Sequence, residues 1–165
     1  MNIREQRLAN DYRALQRLCA FKEPVKVKIV EKRGNPPDYY LLQLSNCKGV
    51  ESVSGDSDTP KYRTEHTIEI RDFPLEYGEP GQLPTVIIKP YIFHPNVYSS
   101  GKICFEGDDK NALIQPLDFI VERVISVIQY ENIRFGTETN KDARTWANRN
   151  KHLFPLRVTP NLNWR

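Results

Sequence analysis

The 165 residues read as one α+β domain. Three observations carry that expectation: an amphipathic helical stripe at the N-terminus, four segments that alternate with the period of a strand, and two segments of helical period further on. A chain of this length falls within the ~100 to 200 residues of a single domain and can build a core without disulfide or metal staples.

Each element has its own signal. Over residues 4 to 19, Leu8, Tyr12, Leu15 and Cys19 fall at steps of four, three and four, on one helical face, with Arg7, Arg13 and Arg17 elsewhere. Cys19 closes that stripe and is expected to be a small buried thiol. Val25 to Val30 alternates with period two, Gly34-Asn35-Pro36-Pro37 is a turn cluster, and Tyr39 to Leu44 resumes with strand formers, which predicts a hairpin. Residues 45 to 60 are rich in Ser, Gly and Asp and read as a loop in which Cys47 is incidental. Tyr62 to Ile70 alternates as a third strand, with His66 on its less polar face as a structural histidine. Three prolines and two glycines make Phe73 to Pro84 a loop, and Thr85 to Ile88 is a fourth strand closed by Pro90. Four strands in succession predict an antiparallel meander.

Pro116 opens a helix that carries Leu117, Ile120, Val121, Val124 and Ile128. Thr139-Asn140-Lys141-Asp142 approximates a capping box for a last helix through Ala143, Trp146 and Ala147. The domain is expected to span residues 1 to 154, with 155 to 165 as a tail.

Composition excludes several classes. No run approaches the ~18 to 20 apolar residues of a membrane span, and Met1 to Glu5 opens charged rather than as a secretory signal, so a cytoplasmic protein is expected. The net charge is +3, yet residues 1 to 33 hold nine Lys/Arg against four Asp/Glu. Those bases surround an amphipathic helix rather than alternate with aromatic platforms, which favours a protein partner or a solvated face over nucleic acid. Three cysteines cannot all pair, and none lies in a C-x-x-C unit, so neither a disulfide framework nor a zinc site is expected.

Residues 89 to 116 show no clear periodic element, an unusual length for a compact domain and therefore where function is expected. Within it stand Tyr91-Ile92-Phe93, His94-Pro95-Asn96, seven further residues and Cys104, the last in the context Gly101-Lys102-Ile103-Cys104. This arrangement resembles the ubiquitin-conjugating enzyme family, which carries a His-Pro-Asn triplet, seven residues and then its active-site cysteine. The likeness extends to the Arg7-Leu8 helix, to Phe73-Pro74-Leu75-Glu76-Tyr77, to Pro116, to Val124 through Gln129 and to Asn140-Lys141-Asp142-Ala143, covering roughly residues 4 to 154. There are departures. The family's Gly-Pro and Thr-Pro-Tyr-Glu-Gly-Gly features between its second and third strands are replaced by residues 53 to 60. A familiar Trp is Ile114, and the Leu-Asp after the cysteine is Phe105-Glu106. The chain thus looks like a remote member and resembles the compact conjugating enzymes of bacterial ubiquitin-like pathways, several of which serve in antiphage defence.

The resemblance implies a relay. Cys104 accepts the C-terminal carboxyl of a ubiquitin-like protein from an activating enzyme as a thioester and yields it to a lysine of a target protein. It implies no metal or other cofactor, and neither nucleic acid nor membrane as a partner. A thiolate is the competent nucleophile, with a free thiol near pKa ~8.5. Adjacent side chains in an extended segment point apart, which argues against Lys102 as its partner. Asn96 is the catalytic candidate beside Cys104, either stabilising the oxyanion or holding the loop, while His94 and Pro95 are implied to fix the loop structurally. A gate for the incoming lysine has candidates in Asp108, Asp109, Glu131, Asn132 and Glu138. Arg4, Arg7 and Arg13 are candidates for docking the activating enzyme. Two other readings compete. A noncatalytic relative that binds ubiquitin-like proteins is opposed by the retained Cys104, and a cysteine hydrolase would need His66 or His152 as base, with no hydrolase motif around either.

Overall fold

The computed structural model describes residues 1–104, 116–131, 133 and 139–156. Helix α1 runs from Ile3 to Phe21, and Asn2 starts it, its side chain accepting the Glu5 amide at 2.8 Å. Leu8 and Leu15 are buried, with Tyr12, Leu18 and Cys19 packed at the rim of the core. Cys19 is thus half-buried, and burial pushes its thiol pKa up.

Strands β1 (Lys26–Gly34) and β2 (Pro37–Ser45) form the predicted hairpin, with Gly34 at φ 97° in the turn. With β5 (His66–Arg71) and β6 (Thr85–Lys89) they make one antiparallel sheet in the order β1-β2-β5-β6. Register aligns the apolar positions: Leu42 faces Ile68, which faces Ile88, and Tyr40 faces Ile70, which faces Val86. All six are buried in one cluster with α1 and with helix α2 (Leu117–Ile128). Each such side chain contributes about 1.5–3 kcal/mol by leaving water, so this cluster is the main source of stability.

Two expectations are corrected. Tyr62 to Ile70 is not one strand: it divides at Thr64-Glu65 into β4 (Pro60–Arg63) and β5, and β4 pairs with β3 (Gly49–Val53) in a separate two-stranded sheet. Residues 49 to 63 are therefore a hairpin inserted into the meander, and the polar composition of residues 45 to 60 concealed it because Val50 alone of β3's side chains is a fully buried hydrophobe. Nor is Cys47 incidental, although it lies in the short connection between β2 and β3. It is fully buried in the core, and its carbonyl accepts a hydrogen bond from His66 Nε2 at 2.7 Å. Burial pushes the His66 pKa down to about 4, which favours the neutral ring at this buried position.

Helix α3 (Lys141–Arg149) is capped by Asn140, whose side chain accepts the Ala143 amide at 3.0 Å; Thr139, expected as the cap, lies one residue outside. A 3₁₀ turn, Lys151–Leu153, follows. Tyr130, Trp146, Ala147 and Val50 form a second cluster between α3 and the inserted hairpin, with Phe93 and Phe154 packed on it. Among the described residues no helix is long and apolar enough to cross a membrane.

One buried acid ties these parts together. Asp11 interrupts the apolar stripe of α1, and its Oδ1 accepts the Leu117 amide at 3.1 Å and Arg7 Nε at 3.0 Å, while Oδ2 accepts the Tyr77 hydroxyl. Desolvation raises its pKa and these donors oppose the rise. The carboxylate sits at the first turn of α2, where exposed amides and the helix dipole favour negative charge.

Candidate active site

The path into the site begins where β6 ends. Pro90 terminates the ladder, Ile92 is buried, and the Phe93 amide donates to the Val50 carbonyl at 2.8 Å. At His94 the chain turns: its Nδ1 accepts the Asn96 amide at 2.9 Å, and its carbonyl accepts the Val97 amide at 3.2 Å. The histidine ring thus takes a backbone amide of its own turn. Its ring lies edge-on to Tyr130 at 4.7 Å between centroids, and the Tyr130 hydroxyl donates to the Phe93 carbonyl. The Pro95 carbonyl accepts the amides of Thr139 and Asn140 at 2.8 and 3.2 Å, just before α3.

The seven-residue spacing now has a physical reason. Val97 bridges Ile103 antiparallel, the Tyr98 amide donates to the Lys102 carbonyl at 2.9 Å, and the Cys104 amide donates to the Asn96 carbonyl at 3.0 Å. Asn96 and Cys104 are therefore cross-strand neighbours of a miniature hairpin, a placement that holds side chains on such a ladder ~4.5–5.5 Å apart at Cβ. Gly101 makes the return at φ 90°, and a Cβ there would stand 2.2 Å from the Ile88 carbonyl oxygen, so glycine is required twice over. The same segment lies along the edge of β6, with the Ile88 amide donating to Gly101 at 2.8 Å and the Ile103 amide to Val86 at 3.0 Å.

His94 and Asn96 are buried, at 0% and 3% exposure, whereas Cys104 is half-buried and opens onto a cleft of about 260 Å³. Leu83, Thr85, Tyr98 and Lys102 also line that cleft. A thiol reachable from one side and backed by a fixed loop suits attack on a carbonyl presented from solvent. Among the described residues no cluster suited to a metal ion occurs.

The remaining candidates are dispersed. Arg4 donates to the carbonyls of Pro74 and Phe73 at 2.8 and 3.1 Å, and Arg7 is engaged with Asp11 and stacked over the Tyr77 ring at 4.7 Å. Arg13 is exposed and bonded only locally, to Asn10. Of the gate candidates, Glu131 is exposed after α2; Asp108, Asp109, Asn132 and Glu138 lie outside the described residues, as do Phe105, Glu106 and Ile114. Sequence reasoning missed Tyr130, Arg63 and Asp11. Asp11 alone had a visible signal, an acid four residues after Arg7 inside an apolar stripe.

No family model matches the sequence, and none of the curated proteins compared with it matches. Solved structures do. A structure described as a novel ubiquitin-conjugating enzyme superposes with TM-score 0.57 at 17% identity, over 91% of this chain and 88% of its own. Ubc12 of S. cerevisiae gives 0.57 at 16%, over 90% and 74% respectively. The human ubiquitin-conjugating enzyme E2 G1 gives 0.50 at 16%, over 78% and 97%. With the N-terminal helix, the four-stranded antiparallel sheet and the C-terminal helices all in place, this chain has the ubiquitin-conjugating fold in a divergent sequence.

Proposed function

We propose that the protein is a conjugating-type transferase that carries a ubiquitin-like protein as a thioester on Cys104 and passes it to a lysine of a target. The observation that carries this reading is the cross-strand pairing of Asn96 with a half-buried Cys104 at the mouth of a cleft. In the first step the Cys104 sulfur attacks the activated carboxyl carbon of the ubiquitin-like protein and the activating enzyme's thiol leaves. In the second, the neutral lysine nitrogen attacks the Cys104 thioester, negative charge collects on the carbonyl oxygen, and the carbon–sulfur bond breaks as the amide forms, the proton lost by the nitrogen passing through water to the departing Cys104 thiolate. Asn96 serves the second step by stabilising that charge or by fixing the loop that does so. His94 and Pro95 hold the turn.

Residues 1 to 154 form the catalytic domain in this account and 155 to 165 a tail. The partners are an activating enzyme, a ubiquitin-like protein and a lysine-bearing target in the cytoplasm. Arg13 is the docking candidate with a side chain open to a partner, Arg4 and Arg7 being engaged within the fold. Placement in a bacterial pathway of the antiphage kind rests on the sequence departures between β2 and β5 and around Cys104.

The test is single-turnover loading from the cognate activating enzyme with ATP, read on nonreducing gels, followed by discharge to free lysine. Wild type should form a thiol-sensitive adduct and Cys104→Ala none. An adduct of equal yield in Cys104→Ala would remove Cys104 as the nucleophile.

A further inference from the structure

One departure from the conjugating family's pattern lies between β2 and β5, and the hairpin built there reaches the turn that carries Cys104. Chain leaving β6 at the exposed Pro90 loses its ladder, and from the half-buried Tyr91 inward its backbone groups need partners. The hairpin supplies three partners. Arg63, whose side chain is 15% exposed, donates through Nη2 to the carbonyls of Pro90 and Tyr91 at 2.7 and 3.2 Å, and the Val50 carbonyl takes the Phe93 amide at 2.8 Å. His94 is the next residue.

The far end of the hairpin is also fastened. Asp58, at φ 56°, receives Arg149 Nη2 on both carboxylate oxygens at 2.9 Å and Asn150 Nδ2 at 3.1 Å, while its carbonyl takes Trp146 Nε1 at 2.9 Å. These partners lie on or just after α3, and the residues leading into α3 hold the Pro95 carbonyl. Hairpin and α3 therefore form one body that grips the backbone on both sides of His94.

We propose that the β3–β4 hairpin is a positioning element for the turn from His94 to Cys104, with Arg63 as the positioning residue and the Asp58–Arg149 pair as the clasp that seats it. Its catalytic consequence rests on the transferase reading above. A reacting group displaced by ~1 Å loses about 10²-fold in rate, so a fixed origin for Asn96 and Cys104 matters to transfer even though Arg63 touches no substrate.

The test needs no partner protein for its first two readings. Arg63→Met keeps the aliphatic stem and removes the bonds, Arg63→Lys restores a cation, and Asp58→Asn weakens the exposed clasp. Exchange of the Phe93 amide, followed by NMR, should accelerate in Arg63→Met by roughly tenfold to a hundredfold. Alkylation of Cys104 by iodoacetamide, read by peptide mass, should accelerate at least about threefold as access widens. Arg63→Lys should recover most of both, and Asp58→Asn should shift both in the same direction by less. In the loaded protein, discharge to lysine should slow while loading holds, a split that general destabilisation does not produce. Wild-type exchange and alkylation in a folded Arg63→Met would overturn the proposal. Should that variant not fold, wild-type readings in Asp58→Asn overturn it. Failure of the wild type to load would count against the transferase reading alone, because exchange and alkylation report the hairpin's hold independently of it.

Discussion

Asn96 and Cys104 are neighbours because the Val97–Ile103 bridge makes them so, and the roles proposed for them separate in experiment. Asn96→Ala should load at close to the wild-type rate and discharge to free lysine about 10²- to 10³-fold more slowly; normal discharge would take Asn96 out of the mechanism. Asp11 gives a prediction of stability instead. Asp11→Ala would remove the acceptor that the buried Tyr77 hydroxyl and Leu117 amide share, and unfolding in urea should show a loss of about 2–4 kcal/mol. A loss under 1 kcal/mol would show that solvent reaches the site. At this scale the proposed nucleophile and its triplet were legible in the sequence through a resemblance to a known family. The sequence did not disclose Tyr130 or Arg63, because each acts through side-chain bonds to backbone carbonyls, one from Tyr130 and two from Arg63, which no periodicity encodes.

The elements were legible where one face is buried and one is not. The stripe of α1, the β1–β2 hairpin with its Gly34 turn, and α2 all appear where the apolar spacing put them. The β3–β4 hairpin escaped because it is short and packs on a second cluster through Val50, with Val53 and Tyr62 at the edge. A strand half-paid in polar residues looks like loop to any pattern of period two. The capping position slipped by one for a local reason: Asn140 caps α3 while Thr139 bonds the Pro95 carbonyl through its amide. The short hairpin from Asn96 to Cys104 makes its own prediction. Gly101→Ala would place Cβ 2.2 Å from the Ile88 carbonyl at a φ that L residues avoid, so the variant should lose more than about 2 kcal/mol of stability, whereas Ala at the exposed Gly55, with nothing within 4 Å, should lose far less. Equal urea midpoints for the two would contradict the close approach.

Over the whole molecule, one sheet carries α1, α2 and the reactive segment on a common core, and its buried titratable groups set how it answers to pH. His66 has its pKa pushed down to about 4 from an ordinary 6.5, so the unfolded chain binds a proton between those values that the native state refuses. Its contribution is intact above pH 6.5 and is lost as pH falls toward 4, by roughly 3 kcal/mol in all. Asp11, with its pKa raised, acts in the opposite sense, so the comparison that isolates His66 is wild type against His66→Gln, in which this part of the acid slope should disappear. The fold itself survives at 16–17% identity to its structural neighbours because burial pattern and register, rather than particular side chains, specify it. The function proposed for that fold turns on the sulfur of Cys104. Intact mass after incubation with activating enzyme, ubiquitin-like protein and ATP tests it most directly: wild type should gain one ubiquitin-like protein less a water, released by dithiothreitol, and Cys104→Ser should gain the same mass in a form dithiothreitol does not release. The same thiol-labile adduct on Cys104→Ser would contradict the account.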